Sequence, residues 1–103
     1  MAQWMHQFSG KSHSTKVAGL ENSLRVAVAA QHRAQPGAEW EKKTAAVATL
    51  AARLLAARLR LYRARLSDMK PRGLANTGLI AREAEAQAGG VAAILAEFGA
   101  LES

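Results

Sequence analysis

The stretch from Ala38 to Lys70, AEWEKKTAAVATLAARLLAARLRLYRARLSDMK, dominates the pattern of this 103-residue chain. Its apolar residues recur every seven positions and again three places further on, which is the spacing of one side of an α-helix. No part of it alternates with the period of two that a strand requires. The stretch therefore predicts one helix about 45–50 Å long, with a continuous apolar seam formed by Trp40, Val47, Leu50, Leu54, Ala57, Leu61 and Ala64.

A second apolar stripe lies about 100–140° around the same helix from the seam. A helix that is apolar over so wide an arc must contact more than one neighbour. We therefore expect helices on both sides of it. The members of this second stripe are Ala52, Leu55, Leu59, Tyr62 and Leu66.

Two helix-breaking segments that contain proline and glycine, Pro36-Gly37 and Pro71-Arg72-Gly73, separate the long helix from its neighbours. A first helix is expected from Ser14 or Thr15, either of which could cap it, to just before Pro36. A third is expected from Asn76 or Thr77 to about Leu101. The expected core of the first is Val17, Leu20, Leu24, Ala27 and Val28, and that of the third is Ile80, Ala84, Val91, Ile94, Phe98 and Leu101.

The predicted fold class is all-α: a small antiparallel bundle of about three helices around one long basic central helix. Residues 1–15 are polar and are predicted to form a mobile or docking N-terminal arm, with residues 16–103 as a single helical domain. Gly89-Gly90 weakens the third helix and predicts a kink or a break there. Because small residues keep helical spacing through the pair, we favour a close approach of a neighbouring helix at Gly89.

Composition limits the core and the class of protein. Alanine occurs 24 times and Phe, Trp and Tyr together five times, so the core is expected to be thin. The chain has no cysteine, no apolar run long enough to span a bilayer and no signal-peptide pattern at Met1–Lys16. We expect a cytoplasmic protein. Residues 1–72 carry a net charge of +9 and residues 73–103 a net charge of −3, which predicts a polyanionic partner or helices of opposite charge packed together.

The strongest local feature is a basic cluster in the long helix and the turn that follows it. Arginine predominates in it, and the planar guanidinium group suits phosphate or carboxylate. One interpretation is a solvated face partly paired with the acids of the third helix; the other is contact with a polyanion. Arg58 and Arg65 lie within the apolar arc, so they should pair with a carboxylate or lie in an interface. The cluster comprises Arg53, Arg58, Arg60, Arg63, Arg65, Lys70 and Arg72.

The N-terminal arm holds one apolar group, Trp4, Met5 and Phe8, at the spacing of a single helical turn. Aromatic residues and Met are enriched at interface anchors, so this group either folds back over the thin core or contacts a partner. Neither His6 nor His13 has an accompanying carboxylate, and we expect neither a metal site nor a cofactor. Residues 9–12, SGKS, end like a phosphate-binding loop but lack its leading glycine.

No nucleophile, base and acid can be assembled into a catalytic site, so we predict that the chain is not an enzyme. In composition it resembles the small alanine-rich accessory proteins of high-GC bacteria, phages and plasmids, a class that includes anti-CRISPRs. The leading hypothesis is a regulator or inhibitor that docks its basic helix on a larger protein or ribonucleoprotein. The alternative is direct DNA or RNA binding through Arg53 to Arg72. Homodimerisation through the small residues of the third helix is compatible with both.

Overall fold

The computed structural model describes residues 9–69 and 77–102, which form four helices and no strand. These are α1 (Ser9–Arg33), α2 (Ala38–Met69), α3 (Thr77–Ala88) and α4 (Gly90–Glu97). The predicted all-α class is confirmed, and α2 is the long helix that the heptad pattern predicted. The predicted last residue of that helix, Lys70, lies outside the described residues.

The helices α1 and α2 pack side by side as an antiparallel hairpin. Gln31 near the end of α1 bonds to Thr44 near the start of α2, whereas Glu21 further back in α1 meets Arg58 further along α2. In the turn between them, the backbone N–H of Gln35 donates to the Glu39 carboxylate over 2.6 Å. A carboxylate in the first turn of α2 also suits the helix dipole.

Helix α1 begins at Ser9 rather than near Ser14 or Thr15. The expected capping residues therefore lie within the helix, and the two hydroxyl groups do not mark its start. Residues 9–15, which the sequence assigned to the N-terminal arm, form the first turns of α1. Because the SGKS run is helical at residues 9–12, it does not form a phosphate-binding loop.

The core follows the predicted seam closely. Leu54, at the centre of α2, is fully buried and belongs to the same core cluster as Leu24 of α1, which is also fully buried. Trp40, Leu50 and Ala64 of the predicted seam are half-buried, and Ala51, which the heptad pattern omitted, is fully buried. Among the described residues, the buried apolar set is small: Val17, Leu24, Val28, Val47, Ala51, Leu54, Ala57, Leu61 and Ile94.

The predicted third helix is broken at the glycine pair, where a kink or a break was expected. Gly89 separates α3 from α4, and Gly90 has φ +62°, in the left-handed region that favours glycine. The close approach expected at Gly89 is local. A Cβ added there would lie 2.5 Å from the Cβ of Ala93, four residues on in the same segment. The small residues Gly89, Ala93 and Ala96 are exposed, so no neighbouring helix of the described chain packs on them.

Helix α4 ends in a Schellman motif that turns the chain back towards α1. The N–H of Gly99 donates to the carbonyl of Ala96 and the N–H of Ala100 to that of Leu95, with Gly99 at φ +71°. This reversal brings Leu101 to the side chain of Gln31. The last described residues are therefore tied to the hairpin rather than extending away from it.

The helices lie in a flat layer: the Cα atoms extend over 52 × 36 × 14 Å. Domains ordinarily bury an apolar helix face between two packed layers. A single layer covers each helix only along its sides, which explains why Leu55, Leu59, Tyr62 and Leu66 of the second stripe are half-buried rather than buried. The second stripe of α2 is thus only partly covered.

Candidate interaction surface on the central helix

The side of α2 opposite the buried seam is exposed and positively charged. Arg53, Arg60 and Arg63 are all exposed there. Among the side chains that the structure describes, none of the three has a carboxylate within ion-pair distance. The residues of this side that precede the arginines or lie between them are small. We call this surface the basic face; it consists of Ala45, Thr49, Ala52, Arg53, Ala56, Arg60 and Arg63.

The basic face arises because α2 carries two heptad patterns, one of arginines and one of leucines, offset by one residue. Residues separated by seven positions lie about 20° apart on an α-helix, so Arg53 and Arg60 stand almost in line, about 10 Å apart along the axis. Leu54 and Leu61 keep the same spacing one position later. The one-residue offset is about 100° of rotation, and it places the arginines off the core and the leucines in it.

Arg58 belongs to the same sequence cluster but has a different environment. Its guanidinium nitrogens lie 2.8 Å from carboxylate oxygens of Glu21 on α1 and of Glu97 on α4, and only 16% of its side chain is exposed. It donates to both oxygens of Glu97, forming a bidentate pair. Arg58 therefore ties three helices together, as expected for an arginine within the apolar arc.

The ion pairs shift the pKa of both partners. The hydrogen bonds from Arg58 lower the pKa of the Glu97 carboxyl below its ordinary value, against a smaller opposing effect of burial. The bond to Glu97 raises the pKa of Arg58, again against an opposing effect of burial. Both shifts favour the charged forms. The charge of Arg58 is thus neutralised inside the chain.

The ring of Phe98 reinforces this junction. The guanidinium carbon of Arg25 lies 5.6 Å from its centroid and that of Arg58 6.0 Å, both within cation–π range. The predicted core residue Phe98 is half-buried. It is better described as the apolar support for two arginines than as part of the interior.

A cleft of about 350 Å³ lies beside the junction, between α1, the second half of α2 and α3. Arg65 of the basic cluster is exposed and lines it, as do Tyr62 and Gln87. Arg65 and Tyr62 both have interactions within the chain. The cleft is thus lined in part by groups that already have interactions within the chain.

Five of the predicted contact residues lie outside the described part of the chain. They are Lys70 and Arg72 of the basic cluster, and Trp4, Met5 and Phe8 of the arm. Their assignment to a partner stays a prediction. Of the seven basic residues, the structure brings Arg53, Arg60 and Arg63 together on the basic face.

Sequence reasoning missed Gln31, the one buried polar residue of the described chain, which is 1% exposed. Its side-chain nitrogen donates to Thr44 Oγ1 over 2.9 Å and to the carbonyl of Leu101 over 3.1 Å, and its oxygen accepts from the N–H of Leu101 over 2.9 Å. We call this arrangement the Gln31 clamp. His32 adds a 2.8 Å contact to the carbonyl of Gly99.

The described residues contain no group of three or more His, Asp or Glu placed to hold a metal ion. Among the helices in the described ranges, none combines the length and the apolar character needed to cross a membrane. No protein-family model matches the chain, and no curated protein or solved structure is detectably similar to it.

Proposed function

We propose that this chain is a non-enzymatic binding protein that docks the basic face of α2 on a larger, negatively charged partner. The observation that supports it is the contrast between arginines of one helix. Arg58 is paired twice inside the chain, whereas Arg53, Arg60 and Arg63 are exposed without a partner in the described residues. The flat layer also leaves α2 accessible along most of its length.

The proposal covers a regulator or inhibitor of a machine that handles nucleic acid, in the style of the small accessory proteins of phages and mobile elements. The composition favours that class. Direct binding of DNA or RNA by the same arginines is the second candidate, since guanidinium groups pair with phosphate as readily as with carboxylate. Both candidates use the basic face, so the experiment must separate them.

The test is capture from a host lysate with the tagged chain, with and without nuclease. We expect the wild type to retain a partner that survives nuclease and elutes with salt. A variant with Arg53, Arg60 and Arg63 all changed to Gln should lose it while keeping its helical circular dichroism. The matched control changes Lys16, Arg33 and Lys43 to Gln, which removes the same charge from exposed positions outside the basic face.

Equal capture by the two triple variants would remove the basic face from the function. Loss of every captured protein after nuclease would establish nucleic acid as the partner instead. In that case, the logarithm of affinity should fall linearly with the logarithm of salt concentration.

A further inference from the structure

We infer that the basic face receives an acidic α-helix of a partner protein, packed along α2. This inference rests on the proposed function and names the partner's chemistry. The first observation is the charge itself: between Lys43 and Asp68, α2 carries no acidic residue, and Arg53, Arg60 and Arg63 have no carboxylate partner in the described chain. A partner helix with glutamate or aspartate at heptad spacing would supply the missing carboxylates.

The spacing of the arginines matches a helix better than a free anion. Arg53 and Arg60 stand one heptad apart on one edge of the face, whereas Arg63 lies one heptad after Ala56, in the middle of the face. In paired helices, charged residues that flank the contact line at this spacing choose the partner and its orientation. The basic face thus presents one flanking row of a helix pair whose other member is absent from the chain.

The residues beside the arginines leave room for that helix. Ala45, Thr49, Ala52 and Ala56 are separated by four, three and four positions, the alternation of a contact line between helices. Three of them are exposed and Ala56 is half-buried. Because their side chains are short, a partner helix can approach at the close end of the 8–10 Å range of packed helices. Its carboxylates would then reach the guanidinium groups.

A nucleic acid fits the same face less well. None of the aromatic residues in the described ranges is exposed, and single strands are held largely by stacking on aromatic rings. A phosphate backbone would need the arginines but has no requirement for short residues in heptad register beside them. The two partners therefore differ in their dependence on Ala52, which carries no charge.

The test uses defined probes and fluorescence anisotropy. The first probe is a labelled, end-capped four-heptad peptide helix with alanine along its contact line and glutamate beside it. The second is the same peptide with lysine for glutamate, and the third is a 24-base-pair DNA duplex. We expect the glutamate peptide to bind and the lysine peptide not to bind. Changing Arg53, Arg60 and Arg63 to Gln should weaken binding by about tenfold, as expected for three exposed ion pairs.

The decisive variant is Ala52→Gln, which adds bulk to the contact line without changing charge. It should weaken binding of the glutamate peptide by about tenfold, whereas Ala29→Gln, an equal change at an exposed site on α1, should leave it unchanged. Absence of peptide binding, or duplex binding that is insensitive to Ala52→Gln, would overturn the inference. Self-association of the chain through the same face would overturn it as well.

Failure of this inference is distinguishable from failure of the proposed function. If the triple Arg→Gln variant loses the lysate partner and Ala52→Gln retains it, the basic face is used but not by a closely packed helix. If neither variant affects capture, both proposals fail.

Discussion

Leu54 is among the largest fully buried side chains that the structure describes. It is fully buried at the middle of α2, in the same core cluster as Leu24 of α1. Truncation to alanine would leave a cavity there, because the surrounding side chains relax only partly. We expect Leu54→Ala to lower the free energy of unfolding by about 2–5 kcal/mol, and urea denaturation would measure this. Leu59→Ala, at a half-buried site on the same helix, is the control and should cost clearly less.

Glu97 gives the junction around Arg58 a dependence on pH. Because the folded pKa of Glu97 is lowered, its ion pair stabilises the protein above the ordinary pKa of about 4.5 and is lost as pH falls through the lower folded value. Stability of the wild type should therefore decline in that acid window. Glu97→Gln should reduce stability at neutral pH and flatten the decline.

The matched control for this prediction is Glu85→Gln, which removes an exposed carboxylate from α3 without touching Arg58. Urea midpoints at several pH values would make the comparison. Half of the Glu97 side chain is exposed, so solvent screens the pair and the effect at neutral pH should be modest. An acid dependence of Glu97→Gln as steep as that of the wild type would contradict the role assigned to the pair.

At the scale of the element, the break between α3 and α4 depends on two glycines for different reasons. Gly89 has helical φ but its missing Cβ makes room for Ala93, whereas Gly90 has open space around it and a positive φ. Gly89→Leu should destabilise the protein by about 1–3 kcal/mol through overpacking. Gly90→Ala should lower the free energy of unfolding by about 1–2 kcal/mol, because alanine at this positive φ strains the backbone.

A double variant separates the two causes. In the double variant Gly89→Leu/Ala93→Gly, the Cβ atom that a side chain at position 89 would meet is absent. The double variant should therefore recover part of the free energy of unfolding that Gly89→Leu loses. Combined with Gly90→Ala, the change Ala93→Gly should recover none of the free energy of unfolding that Gly90→Ala loses. A thermal melt in which Gly89→Leu is more stable than the wild type would show that helix propensity outweighs the contact.

The elements differ in how far the sequence could predict them. The seam through Val47, Leu54 and Leu61 was predictable because heptad spacing reflects burial directly. The start of α1 was not, since the preference of Ser and Thr for the cap position is local and does not show that a helix already runs through Ser14 and Thr15. A kink or break at Gly89-Gly90 was predictable from the glycine pair, but the packing of a neighbouring helix at Gly89 was wrong, because small residues in register do not show whether another helix covers them.

The same distinction holds for the candidate surface. Exposure of Arg53, Arg60 and Arg63 followed from their offset to the seam, and pairing of Arg58 followed from its place within the apolar arc. The identity of the carboxylates that pair with Arg58 could not be predicted, because Glu21 and Glu97 are separated from Arg58 by 37 and 39 positions. No local pattern relates residues so far apart. The Gln31 clamp was unpredictable for the same reason.

At the scale of the whole molecule, the Gln31 clamp joins residues 70 positions apart and closes the fold. Changing Gln31 to Leu keeps a similar volume but removes the three hydrogen bonds. We expect faster hydrogen exchange at the amide of Leu101 and a loss of about 1–3 kcal/mol in stability. Exchange measured by nuclear magnetic resonance would locate the effect, with Asn22→Leu, an exposed change on α1, as the control.

The clamp also sets which positions of the chain can vary. Gln31 bonds to the backbone N–H and carbonyl of Leu101, and the leucine side chain itself is 41% exposed. The hydrogen bonds therefore do not depend on the side chain at position 101, where a mutational scan should find that substitutions are tolerated. Proline is the exception, since it has no N–H to donate. Position 31, by contrast, needs both an amide donor and an amide acceptor, and almost no other residue should replace glutamine there.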